Sequence, residues 1–180
     1  MQSIIRAGKA GEAAEQTVSF ITGGISAIIP VSLKVEVEMS GKLYLAYGSN
    51  MDTAHMRRMC PSACLLGAMW LDGFRLAFRS TDGITDVTLE PCETGRVPAV
   101  LWEITTANEA ALDEYEEYPR LYFKQTVSVC INGQPADAMV YLLNGGEPTA
   151  TQPDYMALIR QGYAEAGFDP ALLEAALDQS

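Results

Sequence analysis

The pattern of apolar and polar positions predicts a run of strands followed by helices. Residues 43–47 have the aromatic and aliphatic character of a buried strand, and residues 52–60 after the next glycine are helix-forming. Further strands are predicted at 64–70 and 74–79, with Asp72-Gly73 as their hairpin turn. Two more short strands are predicted at residues 87–90 and 98–104.

The second half of the chain predicts one helix, then a hairpin, then two helices. The first helix covers residues 106–118, with Thr106 and Glu109 as a capping box. Residues 121–131 and 136–143 predict a hairpin around Asn132-Gly133. Helical periodicity at 155–166 ends at Gly167, and Asp169-Pro170 caps a last helix that ends near Asp178. This order predicts an α+β fold, with a mixed sheet of about six strands curled towards a barrel and helices packed outside.

The first forty residues differ from the rest of the chain. An apolar stretch at 18–33 is interrupted by Gly23, Gly24 and Pro30 and is too short to span a bilayer. Residues 39–42 would make a natural chain start directly before the first strand. We therefore expect residues 1–40 to be an N-terminal extension and residues 41–180 to be one domain.

The net charge limits the kind of partner, and the cysteine content indicates the cellular compartment. The formal net charge is −11 and the pI is near 4.4, which argues against a nucleic-acid or anionic-membrane partner. Four sparse cysteines in a chain of 180 residues indicate reduced thiols and predict a cytoplasmic protein. The oligomeric state is not indicated by the sequence.

The glycine turn after the first strand is a candidate binding site. Gly48-Ser49-Asn50 joins a strand to a helix start, which leaves backbone N–H groups directed at one point. Such a point attracts a carboxylate or a developing oxyanion. An ordinary strand-turn-helix junction has the same sequence pattern.

Other catalytic apparatus has little support. His55 is the single histidine and would have to be the base of any Ser–His or Cys–His pair. Cys60 and Cys64 have three residues between them, and His55 is the only imidazole that could complete a zinc site with them. We therefore expect these cysteines to be small buried side chains. No phosphate-binding loop or dinucleotide fingerprint is present, so we expect no metal and no cofactor.

Five acids on the predicted helix 106–118 are the remaining candidates, and a solvated acidic face is their ordinary interpretation. Ala111, Leu112 and Tyr115 define the inward stripe, and Glu116 lies one turn after Leu112. A carboxylate at the edge of the core and near a helix C-terminus has a raised pKa. Glu116 is therefore the acid that could work as a base and then an acid near neutral pH.

Four segments together resemble the γ-glutamylcyclotransferase-like family across residues 41–178. They are LYLAYGSNM at 43–51, VPAVLWEIT at 97–105, LDEYEEYPRLY at 112–122 and PDYMALIRQGYAEAGF at 153–168. The resemblance implies an α+β fold with a mixed β-barrel and no cofactor. It also implies cleavage of a small-molecule γ-glutamyl amide, with release of 5-oxoproline and a free amine or amino acid.

The resemblance also implies roles for individual residues. Tyr47, Gly48, Ser49 and Asn50 would bind the glutamyl end of the substrate, Glu116 would be catalytic, and Tyr122 would line the pocket. Relatives usually have glycine directly after the catalytic glutamate, whereas this chain has Glu117.

Three alternatives stay open beside a cyclotransferase of γ-glutamyl amides or dipeptides. The same ring closure could act on a γ-glutamylated amine or a biosynthetic intermediate. A non-catalytic relative could bind γ-glutamyl or carboxylate ligands. A carboxylate-pair glycosidase would need acids on facing elements, whereas here they crowd one helix.

Overall fold

The structure is a computed structural model, and it describes residues 41–81, 83–149 and 153–177. The expected N-terminal extension, residues 1–40, lies outside the described residues, as does the predicted end of the last helix at Asp178. No helix in the described part is long and apolar enough to cross a bilayer.

One mixed six-stranded sheet, in the order β4-β5-β1-β3-β2-β6, forms the centre of the described chain. The strands are β1 (Lys42–Ala46), β2 (Cys64–Thr81), β3 (Ile84–Ile104), β4 (Tyr122–Ile131), β5 (Gln134–Leu143) and β6 (Glu147–Pro148). β1 pairs in parallel with β5 and antiparallel with β3, and the other pairs are antiparallel. The sheet curls into a half-barrel, which confirms the predicted α+β class and the mixed, barrel-like sheet.

The predicted hairpin turn at Asp72-Gly73 is wrong. β2 runs through it without a break and pairs with β3, while the chain reverses beyond Thr81. Gly73 has a φ of +85° and lies where the register shifts between Asp72 and Phe74, so this pair forms a bulge. A bulge and a tight turn both use glycine at positive φ, and only the pairing of later residues distinguishes them.

The second predicted hairpin is confirmed. β4 and β5 pair through Ile131 and Gln134, and Asn132 and Gly133 have φ values of 52° and 79°. Two successive positive φ values are the signature of the type I′ turn that the Asn-Gly pair favours.

Four α-helices pack beside the sheet in the described residues. They are α1 (Thr53–Met59), α2 (Thr106–Tyr115), α3 (Pro153–Glu165) and α4 (Ala171–Leu177). As predicted, Gly167 follows α3 with a φ of +80°, and the Asp169 side chain accepts the Ala171 N–H at 2.9 Å before α4.

The boundaries of α2 differ from the prediction. Its N-cap is Thr105, which exchanges side-chain hydrogen bonds with Asn108 in place of the expected Thr106–Glu109 box. The helix ends at Tyr115, three residues early, because Glu117 has a left-handed φ of 50°. Tyr115, expected on the inward stripe, is 44% exposed, whereas Leu112 is fully buried.

Helix α3 packs closely against the glycine turn that follows β1. Its Met156 and Ile159 are buried. A Cβ atom on Gly162 would lie 2.8 Å from the Cβ of Met51, so glycine at this position permits the close approach. This contact holds the turn between the helix and the end of β1.

Candidate active site

The glycine turn begins directly after β1 and forms a 3₁₀ helix over Ser49–Met51. Ser49 and Asn50 are buried polar residues. A Cβ on Gly48 would lie 2.7 Å from Cγ2 of Val87 on β3, so a larger residue would push the turn away from the sheet. The first N–H groups of such a short helix have no acceptor within it, which leaves them free to meet a ligand oxygen.

Asn50 joins the turn to the end of α2. Its Nδ2 atom donates to Oε1 of Glu116 at 2.7 Å and to the hydroxyl of Tyr44 at 2.9 Å. Asn50 is 3% exposed, and its Oδ1 atom has no hydrogen-bond partner among the described residues. The Glu116 backbone N–H bonds to Leu112 at 2.8 Å, which holds the residue at the C-cap of α2. The structure therefore brings together Glu116 and the turn that the sequence analysis singled out.

The electrostatic environment of Glu116 favours its protonated form. Burial raises its pKa to about 8, the hydrogen bond from Asn50 opposes the shift, and the negative charge of Asp86 adds to it. A carboxyl group with a pKa near 8 is populated in both protonation states around neutral pH. Such a group can accept and return a proton within one reaction cycle.

A small cavity, here called the inner cavity, lies between the turn and Glu116. Its volume is about 30 Å³, enough for a few water molecules or one compact polar group. Five tyrosines line it together with the turn: Tyr44, Tyr47, Tyr122, Tyr141 and Tyr155.

The hydroxyls of two of these tyrosines donate to backbone carbonyls. That of Tyr47 donates to the carbonyl of Tyr141 at 2.5 Å, and that of Tyr122 donates to the carbonyl of Val87 at 2.9 Å. Burial raises the pKa of Tyr47 and of Tyr122 well above the usual range. These side chains are therefore neutral walls and hydrogen-bonding groups at ordinary pH, and none of them competes with Glu116 as a proton acceptor.

A larger outer cavity of about 240 Å³ lies beside the inner one and shares Ser49, Glu116, Tyr122 and Tyr155 with it. Three charged groups line only the outer cavity: Asp86, Glu117 and Arg120. Burial raises the pKa of Asp86, and the charge of Glu117 adds to this.

Glu117 adopts the left-handed backbone conformation that glycine would adopt without strain. Its φ is 50°, and its carboxylate forms an ion pair with Arg120. Asp86, rather than Glu117, is the neighbouring acid whose charge raises the pKa of Glu116. The backbone at this position therefore has the conformation that glycine favours, although the residue is glutamate.

Two other acids of α2, Glu109 and Asp113, contact the sheet. Lys124 on β4 bonds to Glu109 at 2.7 Å and to Asp113 at 2.6 Å. The hydroxyl of Tyr141 also donates to Asp113 at 2.6 Å. These contacts fix the helix that precedes Glu116 and take Glu109 and Asp113 out of the expected solvated face, whereas Glu114 is exposed.

Neither a nucleophile–histidine pair nor a metal centre is formed by the described residues. The Ser49 hydroxyl lies 3.3 Å from that of Tyr115, and the ring of His55 packs against the Tyr115 ring at 5.1 Å. No three His, Cys, Asp or Glu side chains in the described ranges are grouped as metal ligands.

Sequence reasoning missed Asp86 and three of the tyrosines. Tyr141 reaches the inner cavity because β5 pairs in parallel with β1, and Tyr155 reaches it from α3. Asp86 was signalled only by being a carboxylate inside a strand, between Thr85 and Val87. Nothing in the sequence alone shows that this strand passes the end of α2.

Comparisons with known proteins found a matching family, similar sequences and a similar fold. The family model described as Gamma-glutamyl cyclotransferase, AIG2-like matches residues 44–162. Gamma-glutamylcyclotransferase of Homo sapiens is 29% identical over 134 residues, covering 69% of this chain and 71% of that protein. The Bos taurus protein of the same name is 28% identical over 134 residues, again covering 69% of this chain and 71% of that protein. A solved structure named Gamma-glutamyl cyclotransferase superimposes with a TM-score of 0.67 at 26% identity, covering 76% of this chain and 86% of that one.

Proposed function

The chain belongs to the Gamma-glutamyl cyclotransferase, AIG2-like family, and from this membership we propose that it cleaves γ-glutamyl amides or dipeptides by ring closure. The products would be 5-oxoproline and a free amine or amino acid. The observation that carries the proposal is the partly buried Glu116 side chain, which accepts a hydrogen bond from Asn50 of the turn and has a pKa of about 8.

The proposed reaction needs no nucleophile from the protein. The α-amino nitrogen of the substrate attacks its own γ-carbonyl carbon, and this new N–C bond closes a five-membered ring. The bond from the same carbon to the leaving nitrogen breaks, and the proton lost by the α-ammonium ends on that nitrogen. No water, oxidant or cofactor is consumed, and this chemistry fits a site without a Ser–His or Cys–His pair.

Glu116 would carry the proton. It would accept one from the α-ammonium and deliver one to the departing nitrogen, a role that suits a carboxyl that ionises near neutral pH. General acid–base catalysis of this kind typically contributes about 10²- to 10⁴-fold to the rate. Asn50 would keep the Glu116 carboxyl directed at the cavity.

The turn would bind the glutamyl end and stabilise the tetrahedral oxyanion. Tyr47, Gly48, Ser49 and Asn50 line the inner cavity, and backbone N–H groups at the start of the 3₁₀ helix would supply the donors. One such donor is typically worth about 3 kcal/mol in the transition state. Holding the amine against the carbonyl could contribute roughly 7–11 kcal/mol more. Tyr122 would line the same cavity.

The test is detection of 5-oxoproline after incubation with a panel of γ-glutamyl amides and dipeptides. We expect 5-oxoproline and amine in equal amounts from the unaltered chain, and a loss of about a hundredfold or more in Glu116→Gln. Glu114→Gln is the matched control, because it removes an exposed carboxylate from the same helix. Equal turnover by Glu116→Gln would remove this residue from the mechanism. Ligand binding without product from the unaltered chain would favour the non-catalytic alternative.

A further inference from the structure

The outer cavity contains a carboxylate without a counter-ion among the described residues. Asp86 accepts a hydrogen bond from Thr81, but its Oδ2 atom is buried and has no partner in the described part of the chain. Arg79 lies opposite Asp86 in the β2–β3 register, yet its guanidinium bonds to Glu90 and to the carbonyl of Phe78.

The two charged residues that, like Asp86, line only the outer cavity neutralise each other. Arg120 is the one cation among the described lining residues, and it is paired with the carboxylate of Glu117. Asp86 therefore sets the charge that a bound group meets. Its pKa is raised by burial, as expected for a carboxylate that no cation stabilises.

We propose that Asp86 makes the site selective for γ-glutamyl conjugates whose leaving amine carries a second, positively charged amino group. This inference rests on the proposed cyclotransferase function and narrows its substrate class. A diamine-like leaving group would supply the missing cation, whereas the carboxylate of an amino-acid leaving group would meet an unneutralised acid.

The position of Glu116 directs the leaving group to Asp86. The departing nitrogen must take its proton from Glu116, which borders both cavities. The inner cavity is lined by the turn that is proposed to bind the glutamyl end, so the substituent on that nitrogen would enter the outer cavity of about 240 Å³. Asp86 and Glu116 both line the outer cavity, so a group that departs beside Glu116 lies in the same space as Asp86.

Three synthetic substrates of equal length test the inference. They are the γ-glutamyl conjugates of 1,4-diaminobutane, pentylamine and 4-aminobutanoate, whose leaving groups are cationic, neutral and anionic. For the unaltered chain we expect kcat/KM to fall in that order, with about tenfold between cation and neutral, equivalent to about 1.4 kcal/mol.

Asp86→Asn keeps the shape of the side chain and removes its charge. We expect the cation-to-neutral ratio of kcat/KM to fall about tenfold, towards one. Using this ratio within each variant cancels any effect of Asp86 on Glu116 that all three substrates share. Asp137→Asn is the matched control, because it removes an exposed carboxylate of β5 that lines neither cavity, and it should leave the ratio unchanged.

The outcomes separate the two proposals. Turnover of all three conjugates without a cation preference would overturn the role of Asp86 and leave the cyclotransferase proposal standing. An equal loss for all three conjugates in Asp86→Asn would also overturn it, because Asp86 would then act on the shared glutamyl unit or on Glu116. Absence of 5-oxoproline from every conjugate would overturn this inference, and its absence from the γ-glutamyl dipeptides as well would overturn the cyclotransferase proposal.

Discussion

The side-chain amide of Asn50 lies 2.7 Å from the carboxyl oxygen of Glu116, although the two residues are 66 positions apart in the sequence. The second proton of the same amide goes to the Tyr44 hydroxyl at 2.9 Å. A single buried amide thus links β1, the glycine turn and the end of α2. In the proposed reaction this link would set both the direction and the acidity of the proton carrier.

Replacing Asn50 by alanine should raise the pKa of Glu116 further. The hydrogen bond from Asn50 favours the charged carboxylate, so its loss removes a contribution that lowers the pKa. We expect the acidic limb of the kcat/KM–pH profile to move to higher pH. Gln161→Ala, which removes an exposed amide from α3, should not move it. A limb that stays in place in Asn50→Ala would contradict the role given to this hydrogen bond.

The raised pKa of Glu116 should also be visible in protein stability. The folded chain keeps the Glu116 proton up to about pH 8, whereas the unfolded chain releases it near its ordinary value of 4.5. The folded state therefore binds more protons between these values, and the free energy of unfolding should fall as pH rises through this window. Glu116→Gln cannot titrate and should lose this part of the pH dependence. Urea unfolding across the window, with Glu114→Gln as control, measures the difference, and parallel curves for Glu116→Gln and the unaltered chain would contradict it.

Much of this site is predictable from sequence because its two key parts are local. The glycine turn is marked by the strand before it, and Glu116 by its distance of one helical turn from Leu112. Asp86 was not predictable, because it joins the site only through the β2–β3 pairing and the path of β3. The early end of α2 was also missed, since no rule of helix propensity places Glu117 at positive φ.

The protein should be more stable with glycine at position 117 than with alanine. Both substitutions remove the exposed ion pair with Arg120, but only glycine reaches a φ of 50° without strain. We expect Glu117→Gly to have a free energy of unfolding about 1 kcal/mol higher than Glu117→Ala, from urea denaturation of the two variants. An alanine variant as stable as the glycine variant would show that this backbone position is not left-handed.

The packing of α3 on the turn should limit substitution at Gly162. Glycine-to-alanine changes inside helices usually stabilise by about 1 kcal/mol, because alanine has the higher helix propensity. Here the new methyl group would lie 2.8 Å from Cβ of Met51 and 3.0 Å from the backbone nitrogen of Asp52, so the helix and the turn must separate. We expect Gly162→Ala to destabilise the protein by about 1–3 kcal/mol.

Gly162→Ala should also lower the activity of the folded protein, because the turn that moves is the one proposed to bind the glutamyl end. At a temperature where Gly162→Ala is still folded, we expect kcat/KM to fall about tenfold, since small displacements of positioned groups are costly. Gln161→Ala, at the exposed neighbouring position of the same helix, should keep both stability and kcat/KM. A Gly162→Ala variant more stable than the unaltered chain, and equally active, would show that α3 does not hold the turn.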